Sequence, residues 1–279
     1  YYNKDMFKSA GLDPDNPPKT WDDLISDSQK LTVKDQNGQV KQWGIELPTT
    51  VSHYWIYQAL ALQNGKNIMS SDGKKVYFDT KSSINALQNW ADLSQKYNVM
   101  PKGILDWNTV PSDFIKGKTA MMYHTTGNLT NVKNNANFKF GVAFLPAQNK
   151  YGTPTGGGNL YMFKNISNEK KQAAWKFIKW VTAPERAAQW SIDTGYVATE
   201  KSSYDTDLLK NYIKDFPQAE VAKDQLKYAS PELSVHNNGQ IYKIIDDAVQ
   251  SAVIGNTSAE NALKKAQKDA TDALKQFNK

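Results

Sequence analysis

Cysteine is absent from the 279-residue chain, which excludes a disulfide framework, a zinc–thiolate centre and a thiol redox site or nucleophile. Arginine is nearly absent, Arg186 being the only one among 34 basic residues. Readers of nucleic acid depend on the planar arginine fork for bidentate contacts to bases and phosphates. The net charge of +6 is instead carried by lysines scattered along the chain, so it reads as solubility or weak attraction to an anionic surface, and no nucleic acid partner is expected. The three histidines, His53, His124 and His236, share no ligand spacing such as HxxxH, so no metal is expected. No apolar run approaches the ~20 residues that span a bilayer; the densest, around residues 54–62, is interrupted by Gln58. The opening Tyr1-Tyr2-Asn3-Lys4-Asp5 has neither a basic nor an apolar leader region. Any export signal, and with it any membrane attachment, is expected in sequence outside this chain. Catalytic signatures are missing as well. There is no G-x-S-x-G elbow, and Gly117-Lys118-Thr119 imitates the end of a phosphate loop but has Ser112 where that motif needs its first glycine.

What is plentiful is aromatic. Tyr, Trp and Phe make up 11% of the chain, with 14 Tyr and 8 Trp, and hydrophobic residues reach 39%. That is enough for a sizeable core, with rings left over for a ligand platform. Helical spacing of Trp21, Leu24, Ile25 and Leu31 behind Thr20 predicts a capped helix. Further helices are predicted over 4–10, 54–62, 83–97, 111–117, 204–214, 218–226, 240–254 and 258–277. A linked pair begins at Ser167 or Asn168 and at Pro184 and ends before Gly195-Tyr196. The first of that pair presents Ala174, Phe177, Ile178 and Val181 as its apolar face. Strands are predicted at 1–2, 40–47, 119–123, 138–145 and, after Gly156-Gly157-Gly158, at 159–163. Alternation of short strands with helices argues an α/β fold.

Three blocks together carry a family resemblance. The first is Tyr1-Tyr2-Asn3-Lys4-Asp5-Met6-Phe7 with Pro17-Pro18-Lys19-Thr20-Trp21. The second is Phe114-Ile115-Lys116-Gly117-Lys118-Thr119-Ala120-Met121-Met122. The third runs Phe177-Ile178-Lys179-Trp180-Val181-Thr182-Ala183-Pro184-Glu185, with Thr194-Gly195-Tyr196 after it. In this order they resemble the family-1 extracellular solute-binding proteins of ABC importers, which are maltose-binding-protein-like. Gly141-Val142-Ala143-Phe144-Leu145-Pro146 and Gly156-Gly157-Gly158-Asn159-Leu160-Tyr161 resemble the glycerol-3-phosphate-binding subgroup. In that family the opening block lies well inside the protein. The resemblance therefore implies a periplasmic-binding-protein-like type II two-lobe fold, here mostly the C-terminal lobe plus crossover segments. Residues 1–150 are expected mainly in the C-terminal lobe, 151–200 in a segment crossing to the N-terminal lobe, and 201–279 in a C-terminal helical return.

The resemblance also implies a site. A subgroup tryptophan falls at Tyr54 or Trp55, a loop serine at Thr125 or Thr126, a backbone-contacting glycine at Gly157, and a tyrosine at Tyr196. The phosphate-gripping arginine that follows a Gln-Ile pair is here Tyr242, after Gln240-Ile241. Tyrosine brings no charge where arginine would make a bidentate ionic pair, which puts glycerol-3-phosphate itself in doubt and leaves room for a sugar or glycerophosphodiester. Each residue also has a plainer reading: core packing for Tyr54 and Trp55, an ordinary turn for Thr125 and Thr126, a mobile turn for Gly157.

The reading is a non-enzymatic capture protein. It needs no cofactor, binds a small polar solute by lobe closure, delivers it to permease transmembrane subunits, and resides outside the cytoplasm as a lipoprotein or periplasmic protein. Two rivals stay open. A carbohydrate-active enzyme would need paired carboxylates about 5–10 Å apart, for which Asp193 is the one candidate beside a site loop. A surface adhesion module would have no small-molecule affinity. Asp246-Asp247 reads as a solvated helix face.

Overall fold

A computed structural model describes residues 1–277. The helices are α1 (Lys4–Ser9), α2 (Trp21–Leu31), α3 (Tyr54–Gln63), α4 (Lys81–Gln95), α5 (Thr109–Ile115), α6 (Leu129–Asn135), α7 (Asn168–Val181), α8 (Pro184–Thr194), α9 (Asp207–Asp215), α10 (Val221–Gln225), α11 (Asn238–Val253) and α12 (Ala259–Leu274). The strands are β1 (Tyr2–Asn3), β2 (Val33–Lys34), β3 (Val40–Gln42), β4 (Phe140–Gly141), β5 (Thr153–Thr155) and β6 (Ala229–Pro231). Helix starts follow local chemistry. Thr20 and Asp23 close a reciprocal capping box on α2, and Thr80, Ser167, Thr206 and Ser258 each accept an orphan N–H of the helix that follows.

The chain divides into two compact units. The larger comprises Tyr1–His124, Ala136–Thr155 and Gln225–Lys279; the smaller comprises Thr125–Asn135 and Gly156–Asp224. The larger unit is built around α3, which buries nine of its ten residues. A helix apolar on every side belongs at the centre of a core. Against it pack α4 and α11, with α12 packed in turn on those two, and Trp90, Tyr57, Phe7, Phe78 and Phe114 are sealed from solvent. Gln58, the one polar interruption, is fully buried and fully occupied. It donates to Asn67 Oδ1 and to the Pro231 carbonyl, both at 3.0 Å, and accepts from Leu233 N at 2.8 Å. This amide pins residues 231–233 across α3.

The strands are shorter than the sequence predicts. Only Val40–Gln42 of residues 40–47 and Phe140–Gly141 of residues 138–145 form strand, and residues 119–123 pair only through isolated bridges. The pairing itself is nonetheless present. Trp43 bridges Thr119, Glu46 bridges Met122 and Met121 bridges Tyr2, while Tyr2 and Asn3 pair with Gly141 and Phe140. Twisted backbone hydrogen-bonds here one residue at a time. Parallel β5 and β6 complete the layer elements of this unit, and β2 and β3 form a separate hairpin.

The smaller unit is helical. Ala188, Ala198 and Leu209 form its core, with Ile192, Tyr204, Tyr212 and Ile213 packed against them. The strand predicted at residues 159–163 is not formed: that segment has no regular structure and leaves Tyr161 and Phe163 more than four-fifths exposed. A lone strand cannot satisfy its backbone groups, and no described segment pairs with it. Likewise α7 buries none of its residues. Phe177 and its neighbours Trp175 and Trp180 are exposed, and Ala174, Ile178 and Val181 of the predicted apolar face are only half-buried.

Candidate ligand-binding site

The larger unit brings Tyr54, Trp55 and Tyr242 together although 187 or more residues separate the first two from the third. The Tyr54 and Tyr242 rings stack at 4.4 Å with planes 10° apart, and Trp55 stacks on Tyr54 at 5.7 Å and 30°. Tyr54 is nearly buried, so its ring serves as the base of the stack, whereas Trp55 and Tyr242 are partly exposed. The Tyr242 hydroxyl donates its hydrogen to the Leu233 carbonyl at 2.6 Å. The one hydrogen this hydroxyl can donate is therefore spent within the protein, and Tyr242 can serve an incoming hydroxyl only as an acceptor or through its ring face.

The start of α3 is held in an unexpected way. His53 occupies the cap position but makes no side-chain cap. Instead Asp246 of α11 accepts the Tyr54 N–H at 2.9 Å, and its own carbonyl meets His53 Nε2 at 2.8 Å. Asp246 is thus a tertiary cap rather than part of a solvated face, while Asp247 is exposed and pairs with Lys243. Burial raises the Asp246 carboxyl to about 6 and lowers His53 to about 4. The 3.5 Å approach of His53 Nδ1 to Asp246 Oδ1 is therefore not an ion pair at neutral pH: burial outweighs the attraction and the imidazole stays neutral. Val51 and Ser52, just upstream, take left-handed backbone at φ 56° and 55°. Such a conformation at a β-branched residue persists only where its surroundings enforce it. Asp246→Ala is expected to lower stability by about 1–2 kcal/mol in a urea titration. Asp247→Ala is expected to stay within about 0.5 kcal/mol of the parent; equal losses would remove the capping role.

The smaller unit brings Thr125, Thr126 and Tyr196 together. Thr125 Oγ1 accepts the Gly127 N–H at 3.2 Å and caps the short turn Thr126–Asn128. The Tyr196 ring lies directly on Gly127, where an added Cβ would fall 2.4 Å from ring carbon Cζ. Gly195 ends α8 at φ 90°, and Ser191 Oγ donates to the Tyr196 carbonyl at 2.6 Å. Tyr196 is 45% exposed, so one ring face rests on the turn and the other faces outward. Gly157 stands apart: it is exposed, and no atom lies within 4 Å of where its Cβ would be. Gly127 escaped the sequence reading, since Thr-Thr-Gly-Asn reads as a turn and nothing local indicates a ring 69 residues away.

His124 Nε2 contacts the Trp107 carbonyl at 2.8 Å, and its ring packs against the Trp107 ring at 4.3 Å with planes tilted by 51°. Burial lowers this imidazole to about 4. His53 and His124 are therefore neutral polar groups engaged by backbone carbonyls. Asp193 is exposed and accepts from Gln189 one helical turn away at 2.8 Å.

Compact units joined by chain crossings after residues 124, 135, 155 and 224, each presenting aromatic and hydroxyl groups, fit the architecture of a solute-capturing protein. The fold is the type II periplasmic-binding-protein fold. The chain superposes with a TM-score of 0.86 and 24% identity on UgpB from Mycobacterium tuberculosis in complex with glycerophosphocholine, covering 99% of this chain and 68% of that one. A solute-binding protein of an ABC transporter from Thermotoga lettingae, bound with α-D-tagatose, gives 0.83 and 25%, covering 98% and 69%. The chain belongs to the bacterial extracellular solute-binding protein family, whose profile matches residues 1–218. It is also 28% identical over 292 aligned positions to the sn-glycerol-3-phosphate-binding periplasmic protein UgpB of Escherichia coli O6:K15:H31. That match covers 100% of this chain, which spans 65% of the relative's length.

Proposed function

We propose that the protein is the solute-binding component of an ABC importer, capturing a small polar solute outside the cytoplasm and handing it to permease transmembrane subunits. Family membership over residues 1–218 carries this reading. The two clusters described above suit it chemically. Flat rings cover the C–H face of a sugar, polyol or glycerol ester, and neighbouring hydroxyls satisfy its polar edge. We assign the larger unit to the C-terminal lobe and the smaller to segments that cross toward the N-terminal lobe, with lobe closure on the ligand as the working motion. Tyr54, Trp55 and Tyr242 of the larger unit and Thr125, Thr126 and Tyr196 of the smaller are the proposed contacts. Gly157 is proposed as a backbone contact made when that exposed segment meets ligand.

Capture without turnover is favoured over a glycosidase because Asp193 is engaged on its own helix. The test is a thermal-shift screen against sugars, polyols, glycerol-3-phosphate and glycerophosphodiesters, with product analysis of each mixture. A ligand at a hundredfold over its Kd should stabilise the protein by about 2.7 kcal/mol and be recovered unchanged. Tyr196→Ala should abolish the shift. Recovery of cleaved ligand would establish the enzyme instead, and no shift with any compound would favour the adhesion module.

A further inference from the structure

One carboxylate beside the stacked rings belongs to none of the roles above. Glu232 follows β6, in the segment that Gln58 pins across α3 through the Pro231 carbonyl and Leu233 N–H. Gln58 lies one helical turn beyond Tyr54, on the same face of α3. The next carbonyl along, that of Leu233, receives the Tyr242 hydroxyl at 2.6 Å, and the Glu232 N–H donates to Thr155 at 2.9 Å across the parallel β5–β6 pair. The backbone of Glu232 is thus fixed on both sides, next to the edge where the two phenols meet. Its side chain is half-buried and makes no ion pair among the described residues. Burial alone raises its carboxyl, with no lysine or arginine to oppose the shift. Both phenols are pushed up by burial first, and then by the charges around them, of which Glu232 is common to both. The other ionised neighbour of Tyr54 is Asp246, also negative. The two carboxylates that act on these phenols, Glu232 and Asp246, are both negative, and Arg186, the one arginine, stacks on Trp180 of α7 at 4.7 Å.

A carboxylate is an acceptor only. It welcomes a hydroxyl hydrogen and repels a phosphate oxygen. The Tyr242 hydroxyl, its hydrogen already donated, is likewise an acceptor toward a ligand. We propose that Glu232 is a specificity-determining residue of this face, and that with Tyr242 it selects an uncharged hydroxyl-rich ligand, a sugar or polyol, over one that presents a phosphate there. The proposal rests on the solute-binding reading and narrows its substrate class. It also supplies a reason for Tyr242 where the resembling subgroup has arginine: a guanidinium beside Glu232 would pair with that carboxylate and cancel both functions.

The experiment is calorimetric titration of the parent and of Glu232→Gln with a panel of uncharged sugars and polyols, including α-D-tagatose and ribitol, and with sn-glycerol-3-phosphate. The glutamine keeps the shape and removes the charge, and melting curves of both proteins establish that the fold is retained. At least one uncharged compound should bind the parent at least about tenfold more tightly than glycerol-3-phosphate. Glu232→Gln should weaken that compound and strengthen glycerol-3-phosphate, so that the preference shrinks by about tenfold. A parent that prefers glycerol-3-phosphate, or a variant with an unchanged ratio, would overturn the role of Glu232 and leave the solute-binding reading standing. Failure of the parent to bind any of the compounds would count against both.

Discussion

One added methyl group, Gly195→Ala, is expected to dismantle the loop that carries Thr126 and Tyr196. Position 195 sits at φ 90°, and in that conformation its N–H donates to the Ser191 carbonyl at 2.7 Å. A Cβ there would fall 2.4 Å from Leu129 Cβ and 2.8 Å from the Thr126 carbonyl oxygen. The left-handed backbone costs an L-residue about 1–2 kcal/mol. A clash between a fixed backbone and the first carbon of a buried side chain adds about 1–3 kcal/mol, and the stiffer unfolded chain returns less than about 1 kcal/mol. The net loss is expected at about 2–4 kcal/mol, felt by the smaller unit. Hydrogen exchange of the amides in α8 and in residues 126–129 should accelerate accordingly, and solute binding should fall with Tyr196 displaced. Unchanged exchange in both segments would mean that the turn adapts and that its geometry is not what positions the ring.

The second large effect lies in the response to pH, where two buried groups act in opposite senses. Glu46 is 2% exposed, one of its oxygens has no hydrogen-bond partner, and burial, with Asp113 nearby, raises its carboxyl to about 7 against the partial relief of Lys118. A carboxyl whose pKa is raised on folding binds its proton more readily in the native state. Its contribution is present below the unfolded value of about 4.3 and is lost as pH rises through about 7. His124 is the reverse case. Burial lowers it to about 4, so the unfolded chain takes up the proton first. Its contribution is present above about 6.5 and is lost as pH falls toward 4. At about 1.4 kcal/mol per unit, each amounts to about 3 kcal/mol. His53 sides with His124 and Asp246 with Glu46, so the parent protein largely conceals both effects. Single replacements reveal them. Relative to the parent, Glu46→Gln should gain about 3 kcal/mol of stability between pH 4.5 and pH 8, and His124→Gln should gain about as much between pH 8 and pH 4. Urea titrations across that range check both. Parallel pH profiles for parent and variant would show that the group titrates alike in the folded and unfolded chain.

How far the residues alone could be read depends on the distance over which each feature is decided. Helix starts at Thr20, Ser167, Pro184 and Ser258, and the left-handed stop at Gly195, are settled within four residues, because a cap or a turn satisfies its own neighbours' backbone groups. Those were legible, as was the α/β class and, through motif order, the family. Strand extent was not. Residues 43–46 and 119–122 are apolar enough to be strands, but each hydrogen-bonds only where a distant segment arrives in register, and that yields bridges rather than ladders. Residues 159–163 carry the same β-favouring pattern and remain unpaired. The candidate site divides in the same way. The family resemblance, rather than residue type, implied Tyr54, Trp55, Thr125, Thr126 and Tyr196. Their surroundings lie elsewhere in the chain: Asp246 caps Tyr54 from 192 positions away, Gln58 holds Leu233 from 175, and Tyr196 covers Gly127. Composition and local order thus specify which groups exist and where helices begin. Which groups face one another, and which charges go without a counter-ion, follows only once the core around α3 has packed, since burial and pairing are properties of the assembled fold.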